Sequence, residues 1–176
     1  MRTLVLLRHA KSSWDDPALD DFDRPLSDRG RAAAALMARY LVRHDLRPDA
    51  ILCSSAVRTQ ATLNLVLPAL RPAKPAVAYE DGLYLASATT LLERIRRAGS
   101  QRKCVMLVGH NPGLHDLALL LASNAANNHL AALSVKFPTA ALAVLAFEAK
   151  DWHDTKAHSG TLTHFTTPGR VLKSIA

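Results

Sequence analysis

Aromatic residues are scarce in this chain, at 5% of 176 positions. Basic and aromatic residues do not interleave, and there is no basic tail; nucleic-acid modules usually show one or the other. Nucleic acid is therefore not an expected partner. Cysteine is rarer still. Cys53 and Cys104 sit singly in apolar runs, without the C-x-x-C spacing of zinc or redox motifs. Buried free thiols in a reducing compartment, the cytoplasm, are expected. No apolar run reaches the roughly 20 residues of a membrane helix, so no membrane partner is expected. The first residues, Met1 to Trp14, pass from a short apolar stretch straight into charge with no small-residue cleavage site. A signal peptide is not expected from such a start.

What is present describes an ordinary globule, 49% hydrophobic and 21% charged. Chains of this length default to one domain, here residues 1–176, and bury roughly two-thirds of their unfolded surface without a disulfide or metal staple. Lys and Arg number 22 against 15 Asp and Glu, a formal charge of +7. Such a balance suits an anionic partner such as phosphate, although most of these charges read as a solvated surface.

Thr3–Leu7, Ala50–Cys53, Ala76–Tyr79 and Cys104–Val108 are short apolar runs that read as buried strands. Helices are expected between them. The first starts after an N-cap at Ser27 and runs to about Val42, with Gly30 weakening its start. The second runs from Ala56 and stops at Pro68, and the third covers Thr89–Ala98, closed by Gly99. A fourth is expected over Gly113–Leu121. Ala140–Phe147 and Thr161–Phe165 read as two further strands with no helix between them, expected to pair antiparallel at an edge. The fold class is therefore α/β: a three-layer α/β/α sandwich around a mostly parallel sheet with an antiparallel edge strand.

Polar groups follow three of these strands: Arg8-His9 the first, Ser54, Ser55 and Arg58 the second, and Gly109-His110-Asn111 the fourth. In open parallel sheets, ligands bind beyond the carboxyl ends of the strands. If those strands are adjacent, two histidines and two arginines converge there. Arg58, in the first turn of a helix, is unfavourable beside the positive dipole end unless an anion is present. Two guanidiniums with helix N-terminal amides make a cradle for a dianion. Among the other histidines, His44 is expected at a helix carboxyl end, and His115, His153 and His158 toward solvent. His153 and His158 with Asp151 and Asp154 match no strong metal pattern, so no metal is expected.

Leu7-Arg8-His9-Ala10-Lys11-Ser12-Ser13-Trp14 resembles the Arg-His-Gly signature of the histidine phosphatase superfamily. Ser54 to Thr62, with Arg58 followed by Thr-x-x-Thr, resembles its second motif, and Val108 to Gly113 its third. Arg24-Pro25-Leu26-Ser27-x-Arg29-Gly30 agrees as well. The branch that looks most similar is the small SixA-type phosphohistidine phosphatases, which share the Ala after His and the Lys-Ser pair. The resemblance runs from Thr3 to Phe147. It implies that His9 is the nucleophile, that Arg8 and Arg58 bind the transferred phosphoryl group, and that His110 completes the cradle. Ser12 would contact phosphate. No cofactor is implied. The partner would be a phosphohistidine-containing protein or a small phosphorylated substrate.

Two departures stand out. Asp15 replaces an Asn common in the family, which bears on the Ser12 side of the phosphate site. The mutase-like branch also carries an acid after the third strand, for which Glu80 is the nearest match, with Asp81 beside it; both also read as ordinary loop carboxylates. The leading expectation is a metal-independent phosphohistidine phosphatase working through a phosphohistidine on His9. The alternatives are a small phosphomonoesterase for a sugar phosphate or nucleotide, and a phosphate-binding module without turnover.

Overall fold

The computed structural model of the chain describes residues 1–72, 74–125 and 128–175. The four apolar runs form β1 (Arg2–Arg8), β2 (Ala50–Ser54), β3 (Ala76–Glu80) and β4 (Cys104–Gly109). They alternate with α1 (Asp28–Arg43), α2 (Val57–Val66), α3 (Ala88–Arg96) and α4 (Gly113–Leu121). The C-terminal part adds β5 (Ala122–Ala125), α5 (His129–Val135), β6 (Leu142–Phe147), β7 (Gly160–Thr166) and α6 (Pro168–Ile175). All seven strands join one sheet in the order β3-β2-β4-β1-β6-β7-β5. β1, β2, β3 and β4 pair in parallel, which puts their carboxyl ends on one side.

The sheet is mostly parallel with antiparallel pairing in its C-terminal half, as expected. β6 and β7 do pair antiparallel, but they do not end the sheet. β6 runs antiparallel to both β1 and β7, and β5 pairs parallel to β7 and takes the edge. Four residues that follow α4 directly, two of them Ser and Asn, carry too little apolar pattern to announce a strand. β6 also starts two residues later than expected, because Ala140 takes a left-handed backbone (φ 57°). The Ala140 N–H there donates to the His9 carbonyl at 3.0 Å.

Strand alternation explains the two cores. Leu4 and Leu6 of β1 face one cluster, with Leu91 and Ile95 of α3, Leu114 and Leu117 of α4 and Leu133 of α5. Val5 and Leu7 face the other, with Met37 and Leu41 of α1, Leu63 and Val66 of α2 and Val171 of α6. Burial on both faces is why β1 reads as a continuous apolar run. Helices α5 and α6 escaped the sequence reading. The first is only seven residues long; the second opens on Pro-Gly and buries only Val171. As expected, α2 stops before Pro68, and the chain then tightens into a 3-10 turn over Leu67–Leu70.

Ser27 caps α1 as expected, its hydroxyl accepting from the Gly30 N–H at 3.1 Å. Gly30 weakens intrinsic helix propensity, but it has a tertiary reason. A Cβ there would lie 2.1 Å from the Lys11 carbonyl oxygen. That oxygen accepts from the Ser27 N–H (2.9 Å) and hydroxyl (3.1 Å). The loop after β1 is thus clamped to the start of α1. Both cysteines are free thiols, Cys53 buried and Cys104 half-buried, and burial pushes each up to about 12.

Candidate active site

β4 lies between β1 and β2, so three strand ends meet. Arg8 stands opposite Gly109 in register, and the His9 N–H donates to the Gly109 carbonyl at 3.1 Å. An open cavity of about 440 Å³ sits here, and Arg8, His9, Ser12, Arg58 and His110 all line it. The five residues expected to form the phosphate cradle therefore line one cavity.

His9 is buried, at 6% exposure. Its Nδ1 lies 2.7 Å from the Ala10 carbonyl oxygen. A carbonyl only accepts, so Nδ1 carries the proton and Nε2 keeps its lone pair. Burial is the main force pushing the His9 pKa down to about 3; Arg58, His110 and Arg8 add to it, and the Ala10 bond opposes it. The ring is neutral at pH 7. His110 is lowered to about 4 by burial and then by Arg58, with Asp21 opposing. Its Nε2 lies 2.8 Å from the Ser54 hydroxyl, and its buried Nδ1 has no partner. The Ser54 oxygen also accepts from the Ala56 N–H at 3.4 Å. When the Ser54 hydroxyl donates to His110 Nε2, the ring proton sits on Nδ1 and is a spare donor.

The second motif has a mechanical explanation. The Thr59 hydroxyl reaches the Ser54 and Ala56 carbonyls (2.7 and 2.8 Å), tying α2 to the end of β2. The Thr62 hydroxyl donates to the Arg58 carbonyl (2.7 Å) and accepts the Ala10 N–H (2.9 Å). Arg58 and the histidine loop are thereby locked together through one buried side chain. On the other wall, Arg8 donates to the Phe137 carbonyl at 3.1 Å. Buried polar atoms without a partner gather at this place: Arg8 Nε, Arg24 Nη1, Arg58 Nε and His110 Nδ1 are all among them. Asn111 Oδ1, an acceptor, is unpaired there too, but the three arginine N–H groups are donors of the kind an oxyanion satisfies.

Asp21 was not expected here. Its side chain accepts from Arg58 Nη2 (2.9 Å), Arg24 Nη2 (2.7 Å) and the Tyr84 hydroxyl (2.5 Å), and its carbonyl accepts from Arg58 Nη1 (2.5 Å). The Tyr84 bond, then Arg24 and Arg58, hold its carboxyl well below the usual range despite partial burial. The contact with Arg58 spans 37 positions, so no local pattern could reveal it. The only sequence hint was Arg24, three residues on in a motif already noted. The Arg24 guanidinium in turn stacks 3.4 Å from the Trp14 ring centroid.

Glu80 and Asp81 are not brought to the cavity. Arg94 binds both Glu80 carboxylate oxygens, with contacts of 2.7–2.9 Å, and Asp81 accepts from the Ser55 hydroxyl. Glu80 closes the edge strand β3, where α3 supplies its counter-charge. Asp15 is exposed and does not line the cavity, so its replacement of Asn leaves Ser12 in position. His115 departs from expectation: its Nε2 binds the Leu133 carbonyl at 2.7 Å and the ring is half-buried, joining α4 to α5. His153 and His158 are exposed, and His44 follows α1, its ring 4.0 Å from that of Tyr40. Among the described residues, no group of three His, Cys, Asp or Glu could hold a metal ion, and no helix is long and apolar enough to cross a membrane.

A neutral histidine and the guanidiniums of Arg8, Arg24 and Arg58 thus meet in one cavity at the ends of parallel strands. Residues 4–83 match the family described as the histidine phosphatase superfamily (branch 1). An uncharacterized Mycobacterium tuberculosis protein is 37% identical over 165 residues, covering 92% of this chain and 99% of that protein. Among solved structures, an Agrobacterium tumefaciens chain described as a candidate phosphohistidine phosphatase SixA is 37% identical. It superposes with a TM-score of 0.72 over 83% of this chain and 92% of its own. A Nakamurella multipartitia chain with the same description gives 0.82 at 27% identity, over 95% and 96%. The chain belongs to the histidine phosphatase superfamily, and in shape it is SixA-like. Its activity class is that of a phosphatase.

Proposed function

We propose that this protein hydrolyses phosphohistidine, carried on a protein, through a covalent phosphohistidine on His9. The observation that carries this reading is the His9 ring, with Nδ1 bound to the Ala10 carbonyl and the pKa depressed to about 3. Nε2 is therefore an unprotonated nucleophile at neutral pH. Nε2 attacks phosphorus, the P–N bond of the substrate breaks, and the departing imidazole takes a proton on its own ring. Water then attacks the His9 phosphoryl group, releasing inorganic phosphate and restoring the neutral ring. Arg8, Arg58 and the spare Nδ1–H of His110 neutralise charge on the equatorial oxygens; phosphoryl transfer needs such positioning more than covalent help. Ser12 contributes a further contact to the phosphate. The arginines supply the positive charge, so turnover is expected to survive EDTA.

The preference for a P–N bond over a P–O bond rests on the scarcity of proton donors. Asp21 is the one carboxylate lining the cavity among the described residues, and its bonds to Tyr84, Arg24 and Arg58 keep it ionised. Glu80 is held by Arg94. An ester's leaving alkoxide lacks an acid here, whereas an imidazole leaves readily once protonated. The SixA description of the structural neighbours agrees with this choice.

The test is a panel at matched ionic strength: a phosphohistidine protein, a phosphoserine peptide and a sugar phosphate, with acid-labile phosphate located by mass spectrometry after quenching. The phosphohistidine protein should show the highest kcat/KM, with label on His9 and neither label nor turnover in His9→Ala. A sugar phosphate or nucleotide as best substrate would overturn the choice of substrate, and label on another residue would overturn the nucleophile.

A further inference from the structure

Beyond Lys11 and Thr139, which line the site, a second open cavity of about 470 Å³ is lined by those same two residues and by Arg29, Lys136 and Arg170. Four cations surround it, from four different parts of the chain: the loop after β1, α1, the residue after α5, and α6. No carboxylate lines it. Among the described residues, none of the four has an acidic partner, whereas Arg24, Arg31, Arg47, Arg58 and Arg94 each hold one. Like charges around a concavity repel one another and focus a positive potential, which a ligand with several negative charges relieves. The wall is also apolar: Phe165 lies beneath Arg170, whose guanidinium is 5.9 Å from the ring, and Val135 is 76% exposed.

The two cavities share one stretch of chain. Val135, Lys136, Pro138 and Thr139 line the second, and the carbonyl of Phe137 among them holds Arg8 (3.1 Å) and the Asn111 amide (2.8 Å) of the first. A ligand in one therefore lies beside the other. Cations spread over four elements, on an open surface with an exposed valine, suit several carboxylates on an extended chain better than one compact second phosphate. Resting on the reading above, we infer that this cavity docks an acidic segment, bearing two or more Asp or Glu, of the protein whose phosphohistidine enters the neighbouring site.

The test compares a phosphohistidine peptide with flanking acidic residues, the same peptide with Asn and Gln in their place, and a small phosphoramidate. These are assayed on the full chain and on the double variant Lys136→Glu, Arg170→Glu, after melting curves show both proteins folded. For the parent protein the acidic peptide should have the lower KM, by on the order of tenfold, as two or three rim ion pairs would give. The double variant should remove that preference and leave phosphoramidate turnover unchanged. Equal KM values for the two peptides, or a preference that persists in the double variant, would overturn the inference. If no phosphohistidine compound turns over, the functional reading fails, and anisotropy with the unphosphorylated acidic peptide judges the cavity alone: binding lost in the variant supports the inference, and no binding overturns it. Tighter binding of an oligonucleotide than of the peptide, lost in the same variant, would assign the cavity to nucleic acid and also overturn it.

Discussion

Asp21 and Arg58 form a two-point contact, in which the guanidinium donates both to the Asp21 carboxylate (2.9 Å) and to its backbone carbonyl (2.5 Å). Arg58 is almost fully buried, while the Asp21 side chain is 45% exposed. The buried cation is thus held by a carboxylate at the mouth of the cavity, in competition with any incoming phosphoryl oxygen. The Tyr84 hydroxyl donates to the same carboxylate oxygen, Oδ2, that Arg58 binds, and Arg24 holds the other, Oδ1.

Asp21→Asn keeps the size of the side chain and removes its charge. Vanadate and inorganic phosphate should bind more tightly by roughly two- to fivefold, since a half-exposed ion pair is worth under about 1 kcal/mol. Competitive inhibition constants check this. Weaker binding would make Asp21 a support for Arg58 rather than a rival of the substrate.

Arg58→Ala should lower kcat/KM on the order of 10²-fold or more, the usual effect of removing one preorganised donor to a charged transition state. Lys74→Ala, at an exposed position that does not line the cavity, serves as the control. Near-parent turnover in Arg58→Ala would remove the β2 arm of the cradle.

Acid should weaken the fold before it protonates His9. Free histidine titrates near 6.5, while the folded protein holds His9 down to about 3 and His110 to about 4, chiefly by burial. The unfolded chain therefore binds more protons below about pH 6.5. The stability from these two groups is complete above that pH and is lost as pH falls toward their folded values. Each contributes a slope approaching about 1.4 kcal/mol per pH unit. His129 and His164 shift in the same direction, so a variant is needed to isolate the pair. Urea midpoints in phosphate-free buffer should fall between pH 7.5 and 5.5, and His110→Asn should flatten the change. A midpoint independent of pH across that range would contradict the buried neutral pair.

Gly30→Ala sets helix propensity against packing. Alanine would favour α1 by about 1 kcal/mol. The new Cβ, however, would lie 2.1 Å from the Lys11 carbonyl oxygen, a backbone atom with little room to move. Packing should win, with a net loss on the order of 1–3 kcal/mol and reduced turnover through displacement of the Lys11–Ser12 loop. A more stable Gly30→Ala protein with unchanged turnover would show that the loop yields freely.

Much of the fold was legible because β1, β2, β3 and β4 are short apolar runs separated by helix signals at Ser27, Pro68 and Gly99. The α/β class, and the placing of Arg8-His9, Ser54 to Arg58 and His110 at strand ends, followed from local pattern alone. The antiparallel pair was legible too, but not its position inside the sheet. Strand order is set by which faces remain to be buried, and that is a property of the assembled chain.

The sequence by itself determined the class of fold, the placing of Arg8, His9, Arg58 and His110 at strand ends, and the positive balance of charge. Those depend on residue type and on periodicities of two and 3.6, which act over a few neighbours; Ser12 came only from the family resemblance. Only the tertiary structure decided the proton on His9 Nδ1, the removal of Glu80 to Arg94, the arrival of Asp21 at Arg58, and the meeting of Lys11, Arg29, Lys136 and Arg170 around one cavity. The physical reason is that desolvation and ion pairing depend on separation in space, and Lys11 and Arg170 come together only when β1, α1, α5 and α6 have packed.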